Sequence, residues 1–266
     1  MFKKLGGLMI LTIAATLLLT ACGGEDTDSL NYSPSEGETV FTQLSPPQIG
    51  DPIATVHTSM GDITFRLFPQ YAPNSVDNFI GMAESGWYDD ATFYRVTYQF
   101  VVQGGYWLST DTIFDGPFYP ENDTPLHNIR GAVGFIATGT ATTSSIYFVQ
   151  NYDVDYEVEI SDRFRIFIEN PTLTETDLHG NDFVVTENIP IPFLEHYIEH
   201  GGMWRLDYPG MGFAVNRPTV FGQVITGMDV VDAIASVPNT GLHGNPQRLP
   251  FENIYILGIS FGYYGE

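Results

Sequence analysis

Alternation of apolar and polar residues marks the start of the ordered chain. The runs 53–60 and 62–68 lie on either side of Gly61-Asp62, a pair typical of a tight turn, and together they predict a β-hairpin. The period then lengthens to that of an amphipathic helix, with Asn74 as the expected N-cap and Gly86 at its end. The apolar positions of this helix are Val76, Phe79, Ile80 and Ala83.

Strand-like runs dominate the rest of the pattern. The stretch Thr92–Gly105 divides into two short strands, and a loop-like region follows to residue 130. A second helix is predicted at Asp229–Val237. Further strands are predicted at 131–138, 146–150, 218–228 and 251–259. Because no strand–helix–strand rhythm is present, we expect a mainly β fold, a closed antiparallel barrel with two helices.

Residues 151–200 interrupt this pattern. Acidic residues are frequent there, a strand is predicted at Arg163–Glu169, and a short helix is predicted to start near Pro192. Loops of this length in a compact domain are usually functional or disordered.

The first residues are typical of a secretory signal. Lys3 and Lys4 precede an apolar run from Leu8 to Leu19, and small residues lie just before Cys22. The sequence LTAC resembles a bacterial lipobox, so we predict that Cys22 carries a lipid anchor and holds the protein at a bacterial membrane, outside the cytoplasm. The alternatives are a plain signal peptide or a spanning anchor, although a span needs ~20 apolar residues.

Composition after the signal predicts a tether and an acidic domain. Residues 22–50 are rich in Gly, Ser, Pro, Asp and Glu, which favours a flexible acidic tether, with the domain at 51–266. The chain has 32 acidic and 10 basic residues and a formal charge of −22. Such a surface repels nucleic acid, so we expect no nucleic-acid partner. Cys22 is the only cysteine, so no disulfide can form within the chain.

Arg95 lies in a run of aromatic and branched residues, between Phe93 and Phe100. Simple alternation would put Phe93, Arg95 and Thr97 on one face of a strand, beside buried aromatic rings. The plain interpretation is an arginine whose stem covers an apolar sheet while its charged end reaches water.

Five blocks of the chain carry a recognisable pattern: HTSMGDITFRLFPQYAPNSVDNFIGMAESGWYD, TFYRVTYQFVVQGG, NIRGAVGFIA, SSIYFV and TVFGQVITGMDVVDAI. Together they resemble the cyclophilin-type peptidyl-prolyl isomerases. The family fold is an eight-stranded barrel capped by two helices, which agrees with the predicted pattern. The resemblance also implies isomerisation of X-Pro bonds in extracytoplasmic proteins, as an aid to their folding.

The resemblance also implies the site. The matching arginine, Arg95, would donate a hydrogen bond to the prolyl nitrogen, and Gln103 would orient Arg95 and contact the substrate backbone. No metal or cofactor is implied, the partners would be proline-containing polypeptides, and the protein is expected to be monomeric. The implied substrate-binding residues are Phe100, Val101, Ala137, Thr138, Phe148 and Leu206.

Some positions depart from the family pattern. Ile146 replaces a glutamine, Thr138 replaces an asparagine, Arg205 stands where tryptophan or histidine is common, and Pro218 replaces a histidine. Relative to the family, residues 151–200 and about 208–216 are insertions. We expect both to lie at the rim of the groove and to restrict substrate access.

Two other functions were weighed. His196 and His200 form an H-x-x-E-H pattern that occurs in metalloproteases, but no third zinc ligand is evident nearby, which favours two surface histidines. The stronger alternative keeps the fold without catalysis, as a surface-tethered chaperone that binds proline-containing peptides.

Overall fold

The computed structural model describes most of the chain beyond residue 40. Side chains are described except at 138, 141, 242 and 243. The predicted signal, Cys22, the first part of the tether and residues 209–216 of the second insertion lie outside the described residues. The described ranges are 41–107, 109–116, 118–121, 123–138, 141–155, 159–177, 180–208, 217–243 and 248–266.

Eight antiparallel strands form one curled sheet, as the predicted mainly β fold requires. Their order across the sheet is β10-β1-β2-β9-β5-β6-β4-β3. The strands are β1 (Pro52–Thr58), β2 (Gly61–Leu67), β3 (Thr92–Val96), β4 (Val101–Gly105), β5 (Ala132–Thr138), β6 (Ala141–Val149), β9 (Thr219–Thr226) and β10 (Ile256–Tyr263).

The two edges of this sheet approach each other. Strands β10 and β3 end the order, and a single bridge links Thr92 with Tyr255, just before β10. Beside it, the backbone N–H of Phe93 donates to the carbonyl of Ile254 at 2.9 Å. The described strands therefore form an open sheet whose two edges make a local contact. A closed barrel stays a prediction.

Two helices pack on the sheet where the pattern placed them. They are α1 (Pro73–Glu84) and α6 (Met228–Ala235). The predicted N-cap of α1 is wrong, because Pro73 takes the first helical position and Ala72 the cap. The free N–H groups of Asn74 and Ser75 donate instead to the carboxylate of Glu121, at 3.1 and 2.8 Å. A carboxylate that is distant in sequence therefore accepts the hydrogen bonds of the free N–H groups at the N-terminus of α1.

An aromatic core fills the concave side of the sheet. Inward-facing residues of the strands meet those of α1 and α6 in one buried cluster. The ring of Phe65 lies 5.5 Å from that of Phe79 and 5.9 Å from that of Phe148. Burying such side chains contributes roughly 1.5–3 kcal/mol each.

Residues 151–208 fold around a second core. Its elements are α2 (Ser161–Glu169), the hairpin β7 (Thr174–Thr176) and β8 (Asp182–Val184), α3 (Val185–Asn188), α4 (Ile191–His200) and α5 (Trp204–Asp207). Phe164, Phe193, Tyr197 and Trp204 are buried in this cluster. The predicted strand at Arg163–Glu169 is wrong. Because Phe164 and Phe167 are buried while Ile166 is 48% exposed, the segment follows the helical spacing i, i+3.

Residues 41–45 belong to the packed domain. Gln43 is buried, its amide donates to the carbonyl of His127 at 2.8 Å, and its Oε1 accepts from the N–H of His127 at 2.8 Å. The ring of Phe41 packs 6.0 Å from that of Phe193. Residues 41–45, which the sequence assigned to the tether, are therefore packed against the domain.

The described elements are short. Among them no helix has both the length and the apolar character needed to cross a bilayer.

Candidate active site

A bulge in β3 separates Arg95 from the core. Phe93 pairs with Gly104 and Arg95 with Gln103, so Tyr94 is an extra residue in this strand. Phe93 and Val96 both enter the aromatic core of the sheet. Arg95 therefore projects on the other side, and the simple alternation that put Phe93 and Arg95 on one face is wrong.

The Arg95 guanidinium lies over an aromatic ring and has no acidic partner among the described residues. Its central carbon is 5.3 Å from the ring centroid of Phe100, a cation–π distance. Its Nε is buried and has no hydrogen-bond partner in the described part of the chain. Burial lowers the pKa of Arg95, and the charge of Arg248 lowers it further. Arg95 thus keeps donors available for a ligand.

The turn between β3 and β4 is held from outside. The N–H of Phe100 donates to the carbonyl of Thr97 at 3.2 Å, and Gln99 has a positive φ of 56°. The side chain of Gln150 accepts from the N–H of Gln99 at 2.7 Å. These contacts compensate for the left-handed backbone and fix the ring of Phe100 beneath Arg95.

Gln103 lies directly across the strand pair from Arg95. It is only 9% exposed, and the register also places it opposite Tyr147 of β6. No hydrogen bond joins the side chains of Gln103 and Arg95 within the residues that the structure describes. The predicted neighbourhood of these two residues is present, whereas the predicted orienting contact is not made.

Strand β6 presents Tyr147, not Phe148, to this side of the sheet. Phe148 is fully buried in the aromatic core, where its ring lies 6.3 Å from that of Phe93. Tyr147 packs instead with Val101 and Phe100. The assignment of Phe148 as a pocket wall is therefore wrong by one residue. Ile146 also lies in the aromatic core, so its apolar side chain does not replace a polar group on the side of the sheet that carries Arg95.

The hydroxyl of Tyr147 is fixed by a buried polar network. It donates to Oδ1 of Asn128 at 2.7 Å, and Nδ2 of Asn128 donates to Asp207 at 3.0 Å. Asp207 also accepts from the hydroxyl of Tyr197 and pairs with Arg217 at 2.7 Å. Burial, followed by the charge of Asp207, raises the pKa of Tyr147 and keeps it protonated. This network connects α4 and α5 to the groove.

The other predicted site residues divide into three groups. Val101 is buried and Leu206 partly buried, and both pack in the cluster that contains Phe100 and Tyr147. Ala137 lies on β5, next to the end of that strand, and is partly buried. The side chain of Thr138 and the whole of Cys22 lie outside the described residues.

The two histidines of α4 stack on each other. Their ring centroids are 4.5 Å apart, and burial lowers the pKa of His196 to about 4. Within the described ranges, no group of three or more His, Cys, Asp or Glu side chains could hold a metal ion.

Comparison with known proteins shows the family. Residues 53–167 match the family described as cyclophilin type peptidyl-prolyl cis-trans isomerase/CLD. A Staphylococcus saprophyticus protein provisionally assigned as a peptidyl-prolyl cis-trans isomerase is 32% identical over 83% of this chain and 98% of its own length. A similarly assigned Staphylococcus aureus protein is 32% identical over 80% of this chain and 92% of its own. The chain belongs to the cyclophilin-type peptidyl-prolyl cis-trans isomerases.

Two further matches add detail. A Streptococcus pyogenes protein provisionally assigned as a bifunctional phosphatase and peptidyl-prolyl cis-trans isomerase is 32% identical, but this chain spans only 40% of its length. A crystal structure of a Cryptosporidium parvum cyclophilin type isomerase superposes with a TM-score of 0.50 at 16% identity, over 80% of this chain and 98% of that one. This structural match supports the fold alone.

Sequence reasoning missed Tyr147 and Arg248. For Tyr147 the signal was incomplete: alternation groups Tyr147 with Val149 and Ile146 with Phe148, but these four residues are all apolar or aromatic and do not show which pair faces the core. Arg248 lies in a loop without any motif, and nothing in the sequence connects it with Arg95.

Proposed function

We propose that this protein isomerises X-Pro bonds of polypeptides outside the cytoplasm and so assists their folding. The observation that carries the proposal is the state of Arg95: a partly buried guanidinium over Phe100, with Nε buried and unpaired among the described residues. A permanent cation left without a partner at a family site is available to a substrate.

The chemistry follows from the amide bond. Resonance gives the peptide bond a rotational barrier of ~18–20 kcal/mol, and an X-Pro bond turns in tens to hundreds of seconds without help. A hydrogen bond to the prolyl nitrogen is strong only when the twisted bond leaves a lone pair there. Arg95 would therefore stabilise the transition state more than either isomer.

The proposed proline pocket is formed by the cluster below Arg95. Phe100, Val101, Tyr147 and Leu206 supply its apolar wall. Gln103 is close enough to meet the substrate backbone once a peptide is bound, since β4 places it opposite Arg95. Rotation breaks no covalent bond, so the proposal requires neither a nucleophile nor a cofactor.

We also propose the finer features that the sequence suggested. These are a closed barrel, a lipid anchor on Cys22 that holds a monomer at the outer face of a bacterial membrane, and residues 151–200 as a family insertion that restricts access to the groove. Met203 and Leu206, which directly follow this segment, pack in one cluster with Val101 and Tyr147, and this position next to the proposed pocket supports a restricting role.

A protease-coupled assay with an Ala-Pro peptide tests the activity. The parent should accelerate isomerisation, and Arg95→Ala should lower kcat/KM by roughly 100-fold, the usual loss when one transition-state donor is removed. Arg165→Ala is the matched control, because Arg165 is an exposed arginine of α2 paired with Asp162. A parent without activity, or an Arg95→Ala variant as active as Arg165→Ala, would refute the proposal.

The second candidate function is peptide binding without catalysis. The missing contact between Gln103 and Arg95 favours it, because an arginine that is not oriented loses part of its catalytic value. Saturable binding of the peptide by a parent that does not accelerate its isomerisation would select this function.

A further inference from the structure

The arginines of this acidic chain differ in their partners. The chain has eight, and five pair with carboxylates, while Arg205 stacks on Trp204 at 5.4 Å. Arg95 and Arg248 have no carboxylate partner within the described residues. The five paired arginines are Arg66, Arg130, Arg163, Arg165 and Arg217.

The two unpaired arginines are neighbours. The carbonyl of Arg248 accepts from the N–H of Val96 at 3.1 Å, one residue from Arg95. Arg248 is exposed. Burial is the main cause of the lowered pKa of Arg95, and the nearby charge of Arg248 is the second cause. In a chain with 32 acidic residues, two nearby cations with no carboxylate partner among the described residues create a local positive potential, which favours an anion.

A cleft of about 520 Å³ lies beside Arg248. This volume is in the range of small-ligand sites, about 300–1,000 Å³. No acidic side chain is among its described lining residues. The lining includes Tyr98 from the turn after β3, Val237, Pro238, Asn239 and Gly241 from the loop after α6, and Arg248 itself.

Contacts hold the two described ends of the loop that carries Arg248. Arg248 has a positive φ of 53°, which costs energy for a residue with a side chain. Two contacts between Thr240 and Leu249 close the loop: the N–H of Thr240 donates to the carbonyl of Leu249 at 2.8 Å, and the N–H of Leu249 to the hydroxyl of Thr240 at 3.0 Å. Asn239 Oδ1 accepts from the N–H of Gly241 at 2.9 Å. The guanidinium of Arg248 is therefore presented from a fixed backbone.

We infer that the protein prefers client segments with a carboxylate side chain directly before or after the proline. Arg248 binds this carboxylate at the cleft while Arg95 serves the prolyl nitrogen. The inference rests on the proposed function and adds a substrate class to it. The formal charge of −22 repels acidic clients at long range, but the local pair dominates at contact because physiological salt screens beyond ~8 Å.

Matched peptides test this preference. Blocked tetrapeptides with Glu, Gln or Lys directly before or after proline are compared by kcat/KM in the isomerisation assay, and by Kd from NMR titration. In at least one of the two positions the parent should favour Glu over Gln by about fivefold, the upper range for a partly exposed ion pair, and less at 1 M salt. Arg248→Gln should abolish this preference, and Arg248→Glu should favour the Lys peptide. Arg165→Gln, the matched control, should keep the preference of the parent.

Failure of the inference and failure of the proposed function have different results. Equal kcat/KM and Kd for Glu and Gln peptides in an active parent, or a Glu preference that survives Arg248→Gln, would overturn the inference alone. If the parent isomerises no peptide, the proposed function fails, and the Kd values still decide whether Arg248 selects a carboxylate.

Discussion

Arg66 and Arg95 both lie on strands with the guanidinium over a phenylalanine ring, yet their surroundings are opposite. Arg66 of β2 is 5.1 Å from the ring of Phe68, and its Nε lies 2.9 Å from the carboxylate of Asp51, both side chains being 5% exposed. Arg95 of β3 has the same stacking on Phe100 without a carboxylate in the described chain. A buried cation with a matched acid is bound within the fold, and removal of either partner leaves an uncompensated buried charge. One without an acid remains available to a ligand.

The largest expected effect is on the paired arginine. Arg66→Ala leaves the carboxylate of Asp51 buried without its cation, which should lower the free energy of unfolding by about 3–5 kcal/mol in urea denaturation. Activity per folded molecule should remain. The double variant Arg66→Ala/Asp51→Ala should recover part of the loss, and a double variant no more stable than the single one would contradict this pairing.

The buried side chain of His127 predicts that the stability of the protein depends on pH. Burial lowers the pKa of His127 to about 4 from an ordinary 6.5. Between these values the unfolded chain binds a proton that the folded chain does not, so stability falls as pH decreases from 6.5 to 4. Over this pH range, His127 should lower the free energy of unfolding by up to about 3 kcal/mol.

Urea denaturation at pH 7 and pH 4 checks the role of His127. His127→Gln cannot be protonated, so its loss of stability between the two values should be smaller than that of the parent by about that amount. Equal losses in parent and variant would assign the acid sensitivity to other groups.

A smaller effect distinguishes the two faces of β6. Tyr147→Phe removes a hydrogen bond to Asn128 and should cost about 1 kcal/mol of stability. It should also change KM for proline peptides, since Tyr147 shares a cluster with Phe100. Phe148→Leu should lower stability and leave KM per folded molecule unchanged. The reverse pattern would restore Phe148 as the pocket wall.

The smallest stability effect should occur at the unpaired arginine. Arg95→Ala removes a partly buried charge that has no acidic partner among the described residues. The free energy of unfolding, measured in urea, should therefore change by less than about 1 kcal/mol. A loss as large as that of Arg66→Ala would mean that Arg95 has a structural role.

Local patterns predicted much of this fold, and long-range contacts account for the errors. The β1–β2 hairpin and both packed helices followed from period and turn residues alone. The N-terminus of α1 did not, because Glu121, far along the chain, satisfies its free N–H groups. Seven residues at Arg163–Glu169 fit both a strand and a helix, and only burial of Phe164 and Phe167 decides.

Only those site residues that lie in a family motif could be predicted correctly from the sequence. Arg95, Phe100 and Gln103 came from the family resemblance, and the structure brings them together. Phe148 was misassigned because every residue from Ile146 to Val149 is apolar or aromatic, so the face cannot be read from polarity. Arg248 was missed because its position depends on a loop that pairs with Val96.

NMR exchange on a bound Ala-Pro peptide tests the central claim most directly, because it separates binding from rotation. At saturating protein, the account predicts that Arg95→Ala slows interconversion of the bound cis and trans forms by roughly 100-fold, while Kd changes by less than about fivefold. A bound exchange rate that is the same with and without the Arg95 guanidinium would contradict it.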